Sequence, residues 1–217
     1  PPQKATFEAL GKMRASVSRV YLQKVAKVGK GPYRAWALRA LKFDPHPSTV
    51  AVAGHIAAST KEGNDTRAAA FEVLEKIAGD PTLAALGRII AADPKALVRY
   101  RAVEAIVVCC GAKGVKQALE ALPVKQKYKK GDVSDFIEKD IKRVGKAALP
   151  VLRQALTSKS WIARVIAARL LGEWGGKQDL PALRKTAGDR AKLKGWGTSA
   201  TVGSEAQAAL AKLSGGA

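Results

Sequence analysis

The sequence predicts an all-α solenoid of about six antiparallel helix pairs, and three observations predict it. One pattern recurs: an Arg near the start of a helix, small residues after it, then apolar ones. It is clearest at Arg164, which is followed by Ala167, Ala168, Leu170 and Leu171, and it returns as RAWALRAL from Arg34, RAAAFEVL from Arg67 and RYRAVEAI from Arg99. These starts lie 33, 32 and 65 residues apart, the last being two periods, and a fixed period in this range marks stacked supersecondary units. Finally, Gly and Pro fall between the units and form no long disordered block. Two weaker copies complete the series, SDFIEKDI from Ser134 and GSEAQAAL from Gly203, with Ser and Gly in the Arg place.

Taken in order, residues 1–16 form an opening segment ahead of the first pair. Ser16–Val28 has Val17, Val20, Tyr21, Val25 and Val28 at helical spacing and stops at Gly29. Pro32 suits the first turn of the next helix, where its missing N–H costs nothing. Pro47 opens a helix through Ser59, and Asn64 or Asp65 caps one that runs through Ala78 to a stop at Gly79. Asp80-Pro81 and Asp93-Pro94 each read as an Asp cap with Pro at the first helical position. Ser160–Asp189 reads as a helix, a Gly175-Gly176 stop and a second helix. Two stretches break the period, PVKQKYKKGD at 123–132 and GDRAKLKGWGTSA at 188–200. Connections within helix pairs are usually short and long ones are often functional, so these inserted loops are where function is sought.

ALPVLRQALTSKSWIARVIAARLLGEWG and DPTLAALGRIIAADPKALVRYRAVEAIVVCCG each resemble one whole unit of the HEAT-repeat family, in its short bacterial HEAT-like form. The resemblance covers about residues 17–213. It implies a right-handed HEAT-like superhelix, a single domain over 1–217, with the second helix of each pair on the concave face. It also implies that Arg34, Arg67, Arg99 and Arg164 form a structural ladder, bonding to neighbouring repeats. The positions five beyond each repeat start are Arg39, Glu72, Glu104, Lys139 and Arg169, a column that is basic at both ends and acidic in the centre.

Charge is the unusual property: 38 Lys and Arg against 18 Asp and Glu give +20 and a pI near 10.2. Residues 1–42 hold ten basic groups and one acid, residues 43–108 seven and eight, and residues 109–217 twenty-one and nine. Such an excess acts on partners and solubility, not on fold. No apolar run approaches the ~20 residues of a spanning helix, so no integral membrane segment is expected. No signal-peptide pattern is present, which predicts a cytoplasmic protein; the first residue is Pro, so a processed N-terminus and export stay open. Cys109 and Cys110 are adjacent and lack CxxC spacing, and are expected as two reduced, partly buried thiols.

No catalytic or metal residues are predicted. His46 and His55 have no ligand spacing, and no phosphate loop or nucleophile elbow appears. HEAT-repeat hydroxylases bind iron through His-Glu pairs, and the chain has no His-Glu dipeptide. The expected function is a non-enzymatic scaffold, with no cofactor, that holds a polyanion, nucleic acid first, through its phosphates. The residues predicted to carry it are Lys125, Lys127, Lys129 and Lys130 in the first inserted loop, and Lys139, Lys142, Arg143 and Lys146 on one face of the next helix. Lys192, Lys194 and Trp196 in the second loop add charge and a base-stacking ring. The alternative is a protein-interaction scaffold binding an acidic partner in its concave groove. A third reading, a HEAT-like alkylpurine DNA glycosylase, would draw on Trp161, Trp174 and Asp179. Trp36 is expected in the core, with Trp161 and Trp174 partly exposed.

Overall fold

The computed structural model of the protein describes residues 2–122, 134–193 and 200–215. The helices are α1 (Pro2–Lys12), α2 (Ser16–Val28), α3 (Tyr33–Leu41), α4 (Val50–Ala58), α5 (Asn64–Leu74), α6 (Asp80–Ala92), α7 (Ala96–Ala121), α8 (Ser134–Val144), α9 (Leu149–Ala155), α10 (Trp161–Trp174), α11 (Leu180–Thr186) and α12 (Val202–Ser214). Among the described residues, the β-structure is an isolated antiparallel bridge between Lys192 and Thr201. Helix α7 is broken at Gly111, whose φ of 53° is left-handed backbone that a residue with a Cβ adopts only with strain. The break coincides with a division into two compact units, one ending at Cys110 and the other beginning at Gly111.

In the first unit α2 packs on α3, α4 on α5, α3 on α5 and α4 on α6, while α1 lies against α2 and α3. Each pair buries small residues of one helix beneath larger ones of the next: Ala35, Leu38 and Leu41 of α3 meet a core that continues through Ile56, Phe71, Leu74, Leu86 and Ile90. In the second unit α10 packs against α8, α9 and α12, and α11 against α12. Helix α10 is apolar nearly all round, as a helix covered on several sides must be; Trp161, Ile162, Val165, Ile166, Leu170 and Leu171 are all buried. Its crossing with α12 is close, because a Cβ at Gly172 would lie 2.7 Å from the Ala209 Cβ.

Several boundaries differ from the sequence reading. Pro47–Thr49 is a 3-10 turn and α4 begins at Val50; α5 stops at Leu74, ahead of Gly79. Asp80 is already helical and makes no capping bond, since Gly79 takes the cap position. Asp93 does accept from the Lys95 backbone N–H at 2.9 Å, so the second Asp-Pro pair keeps its turn-forming role. Trp161 is buried, correcting the expectation of partial exposure, and Trp36 is half-buried where the core was expected; Trp174 is half-buried, as expected. Cys109 and Cys110 are joined by a disulfide, not left as thiols; side chains splayed on a regular helix meet here directly before its break.

The largest correction concerns α2. Val17, Val20, Tyr21 and Val28, the apolar spacing that marked this helix, face outward, and the buried positions are Ser18, Leu22 and Ala26. The face that packs on α3 is centred on Leu22 and Ala26, and the Arg34 Nε donates to the Ala26 carbonyl at 2.8 Å.

At the other end of the chain, the Thr201 hydroxyl accepts from the Ser204 backbone N–H at 3.1 Å and the Ser204 hydroxyl accepts in turn from the Thr201 N–H at 2.9 Å. Thr201→Ala is expected to lower unfolding free energy by about 1 kcal/mol. Urea denaturation of the full chain reads this, and an unchanged midpoint would show that Ser204 alone holds the helix start.

Candidate polyanion-binding surfaces

The basic residues divide into two populations, those consumed by the fold and those left to solvent. The arginines at the repeat starts belong to the first. Arg34 reaches back to the Ala26 carbonyl and forward to Glu62 at 2.7 Å. Arg67 does the same, donating to the Ala57 carbonyl at 2.9 Å and pairing with Asp93. Arg99 donates to the Asp93 carbonyl, at 2.5 Å. In the second unit Arg164 donates to the Ser158 and Lys159 carbonyls and pairs with Asp189 at 2.7 Å. Arg34, Arg67 and Arg99 thereby close the end of the preceding helix, where carbonyls lack intrahelical partners, while Arg164 holds carbonyls of the connection between α9 and α10; three of the four reach a carboxylate within the next 28 residues. Sequence reasoning missed two further pairs of this reach, Arg19 with Asp44 at 2.7 Å and Arg153 with Asp179 at 2.6 Å.

The column on the second helices is largely neutralised from within. Arg39 binds Asp65 at 2.5 Å and Glu72 at 3.4 Å, and Lys42 also reaches Glu72. Arg101 bridges Glu75 and Glu104. Burial raises the Glu75 carboxyl above its ordinary value although Arg101 opposes the shift. Arg169 sits between Glu138 at 3.0 Å and Glu205 at 2.8 Å. Burial works against its charge, but the bonds to the two carboxylates outweigh it and its pKa is raised.

The predicted face of α8 is thus divided. Lys142 is tied to Glu173 at 2.9 Å and Arg143 lies 3.6 Å from Asp140. Lys139 and Lys146 are exposed and have no acidic partner among the described residues. Lys125, Lys127, Lys129 and Lys130 lie outside the described residues, as do Lys194 and Trp196.

Around the second inserted loop more can be said. Its base is pinned: Leu193 N–H donates to the Ala200 carbonyl, Val202 N–H to that of Ala191, and the Leu193 side chain is buried. Asp189, held by Arg164, also accepts from the Ala191 N–H at 2.9 Å. This anchoring leaves Lys192 exposed at the loop base, beside Arg190 and just after Arg184 and Lys185 in the last turn of α11. All four are exposed and without an acidic partner among the described residues. Arg184, Lys185 and Arg190 were not singled out from sequence; their signal is a basic run interrupted by one acid, Asp189, which the ladder consumes. A comparable set in the first unit comprises Lys24, Lys27 and Lys30.

The three residues of the glycosylase reading do not converge on an open site. Trp161 is buried and Trp174 half-buried, while Asp179 is 2% exposed, bound to Arg153 and to the Gly176 N–H at 3.0 Å. Among the described residues no group of three or more His, Cys, Asp or Glu is placed to hold a metal ion, and no helix is long and apolar enough to cross a membrane.

Residues 22–107, from within α2 to within α7, match the family model of HEAT repeats. No curated protein matches the chain. Among solved structures it is similar to human deoxyhypusine hydroxylase in complex with glycerol, at 18% identity over 98% of this chain and 79% of that one, with a TM-score of 0.41. It is also similar to an engineered protein, at 19% identity over 97% of both chains, with a TM-score of 0.34.

Proposed function

Taking as premise that the chain belongs to the HEAT-repeat family, we propose that it is a non-enzymatic scaffold whose unpaired basic residues hold a polyanion, nucleic acid through its phosphates. The observation that carries this reading is the division of the cations. The ladder and column use arginines in ion pairs within the fold, and the cations left to solvent are mainly lysines, point charges suited to phosphates and to little base readout. An acidic protein along the second helices finds less support, because Arg39 and Arg169 already face carboxylates of their own chain.

The test is fluorescence anisotropy with labelled single- and double-stranded DNA, titrated across salt. Affinity should fall linearly on a log–log plot, with a slope set by the unpaired cations and not by the full +20. Replacing Arg184, Lys185, Arg190 and Lys192 by Ala should flatten the duplex slope by about 0.9 for each phosphate no longer neutralised. Trp196→Ala should weaken single-strand binding by about 1–3 kcal/mol and leave the slope unchanged. No binding at low salt would sink the reading.

A further inference from the structure

Helix α2 has two apolar faces, and the described residues cover one of them. Ser18, Leu22 and Ala26 face the core; Val17, Val20, Tyr21 and Val28 are 79%, 63%, 51% and 71% exposed. The outward residues recur at helical spacing and run for about 16 Å along the axis. Four large apolar side chains exposed along one helix exceed the scattered apolar residues of an ordinary surface and point to an interaction site.

Beside this ridge lies a half-open cleft of about 380 Å³ between α1, α2 and α3, lined by Thr6, Phe7, Tyr21, Val25 and Tyr33. Its wall is already built. Phe7 and Tyr33 stack with ring centroids 6.1 Å apart, Trp36 meets Tyr33 edge-on at 5.5 Å, and the Tyr33 hydroxyl donates to Gln3 at 3.0 Å. A ligand side chain entering the cleft would meet rings held in place, so little ordering cost falls on the protein.

The helices that form the cleft are strongly basic. Lys4, Arg14, Lys24, Lys27 and Lys30 are exposed and have no acidic partner among the described residues, and Glu8 is the single acid within residues 1–42. By spacing, Lys24 falls within the stripe between Tyr21 and Val28, and Lys27 lies at its edge beside Val20, so the ridge carries a cation of its own.

These three features choose among occupants. A second copy of the chain would set one basic rim against another. Nucleic acid would engage the lysines and leave the valine ridge in water. An anionic lipid surface would match ridge and rim and make no use of the walled cleft. An amphipathic helix with acidic flanks uses all of them: its apolar stripe lies along α2, a large side chain fills the cleft, and its carboxylates meet the rim. We propose that the outward face of α2 and the cleft it shares with α1 and α3 form a docking site for an acidic amphipathic helix of a partner protein. The large apolar anchor of that helix seats between Phe7, Tyr21 and Tyr33. The site shares Lys24, Lys27 and Lys30 with the cations left to solvent in the first unit, but a polyanion makes no use of Val20 and Tyr21, so a variant at those two positions separates the two readings.

The probe is a labelled synthetic helix of about 18 residues, with Leu and Phe at i, i+3, i+4 and i+7 spacing and Glu and Ala elsewhere. A scrambled isomer of identical composition is the control. The full chain should bind the amphipathic peptide about tenfold or more tighter than the isomer. Val20→Ser combined with Tyr21→Ser should cost at least about tenfold against the amphipathic peptide and leave binding to the isomer and to DNA unchanged. Both positions are exposed, so the variant keeps its fold, which circular dichroism checks. Equal affinity for peptide and isomer would reduce the site to bulk charge and overturn the proposal. So would an indifferent double variant. Flotation with phosphatidylglycerol vesicles that the peptide does not displace would assign the face to lipid instead. A dimer in sedimentation that the double variant abolishes would assign it to a second copy.

Discussion

Arg67→Ala is expected to lower the unfolding free energy by about 3–5 kcal/mol, the cost of leaving one half of a buried ion pair uncompensated. The side chains of Arg67 and Asp93 are 4% and 2% exposed. Arg67 also holds the Ala57 carbonyl at the end of α4, while the Asp93 backbone carbonyl accepts from Arg99. One substitution therefore removes the charged partner of a carboxylate that keeps its bond from the Lys95 N–H, and orphans a helix end as well. Arg67→Lys should not restore stability, because a single ammonium lacks the fork that reaches both acceptors. Arg34→Ala is the internal comparison. Its pair with Glu62 is 21% and 17% exposed, so water takes over part of the bonding and the loss should be about 1–2 kcal/mol. Urea denaturation of both variants measures the difference. A loss under about 1 kcal/mol for Arg67→Ala would mean that Asp93 is not left as an uncompensated buried charge, because water or a proton reaches it.

Asp179→Asn should cost about 1.5–3 kcal/mol, toward the lower end because Arg153 is 38% exposed and water screens the pair. The Asp179 carboxylate takes two bonds from Arg153, at 2.6 and 3.3 Å, and one from the Gly176 N–H. The Arg153 bond holds its pKa below the ordinary 3.8; burial opposes this and the Gly176 bond assists it. The sign follows from proton counting. The unfolded chain binds this proton more readily than the folded one, so the stabilisation is complete above 3.8 and is lost as pH falls through the lower folded value. Melting temperature against pH should therefore drop more steeply below pH 3.8 in the parent than in Asp179→Asn. Parallel curves would show that Asp179 acts through shape alone.

The repeat architecture was legible because its signal is local. A helix start, an Arg that closes the preceding helix and an apolar run recur within each unit, and α3, α5, α7 and α10 all begin within three residues of their marker Arg. The face α2 buries was not legible. Its run of valines pointed one way, whereas the helix packs on α3 through Ser18, Leu22 and Ala26. Charge pairing was half legible. Arg34, Arg67, Arg99 and Arg164 stand out by period, but Arg19 and Arg153 have the same reach without the period, and the carboxylates they find are set by how neighbouring helices rotate. For the predicted cations the difficulty was arithmetic. A count of Lys and Arg cannot separate Lys142, tied to Glu173, from Lys139 and Lys146, left to solvent.

The arginine ladder also bears on how the chain folds. Its arms join residues 28, 26 and 25 positions apart, at Arg34–Glu62, Arg67–Asp93 and Arg164–Asp189. The loop each must close is no longer than one repeat, whatever the length of the array. Loop-closure entropy then stays fixed as repeats are added, and a nucleus formed in any one repeat can recruit its neighbours. Short closures of this kind favour fast folding within a unit over the slow search that distant pairings demand.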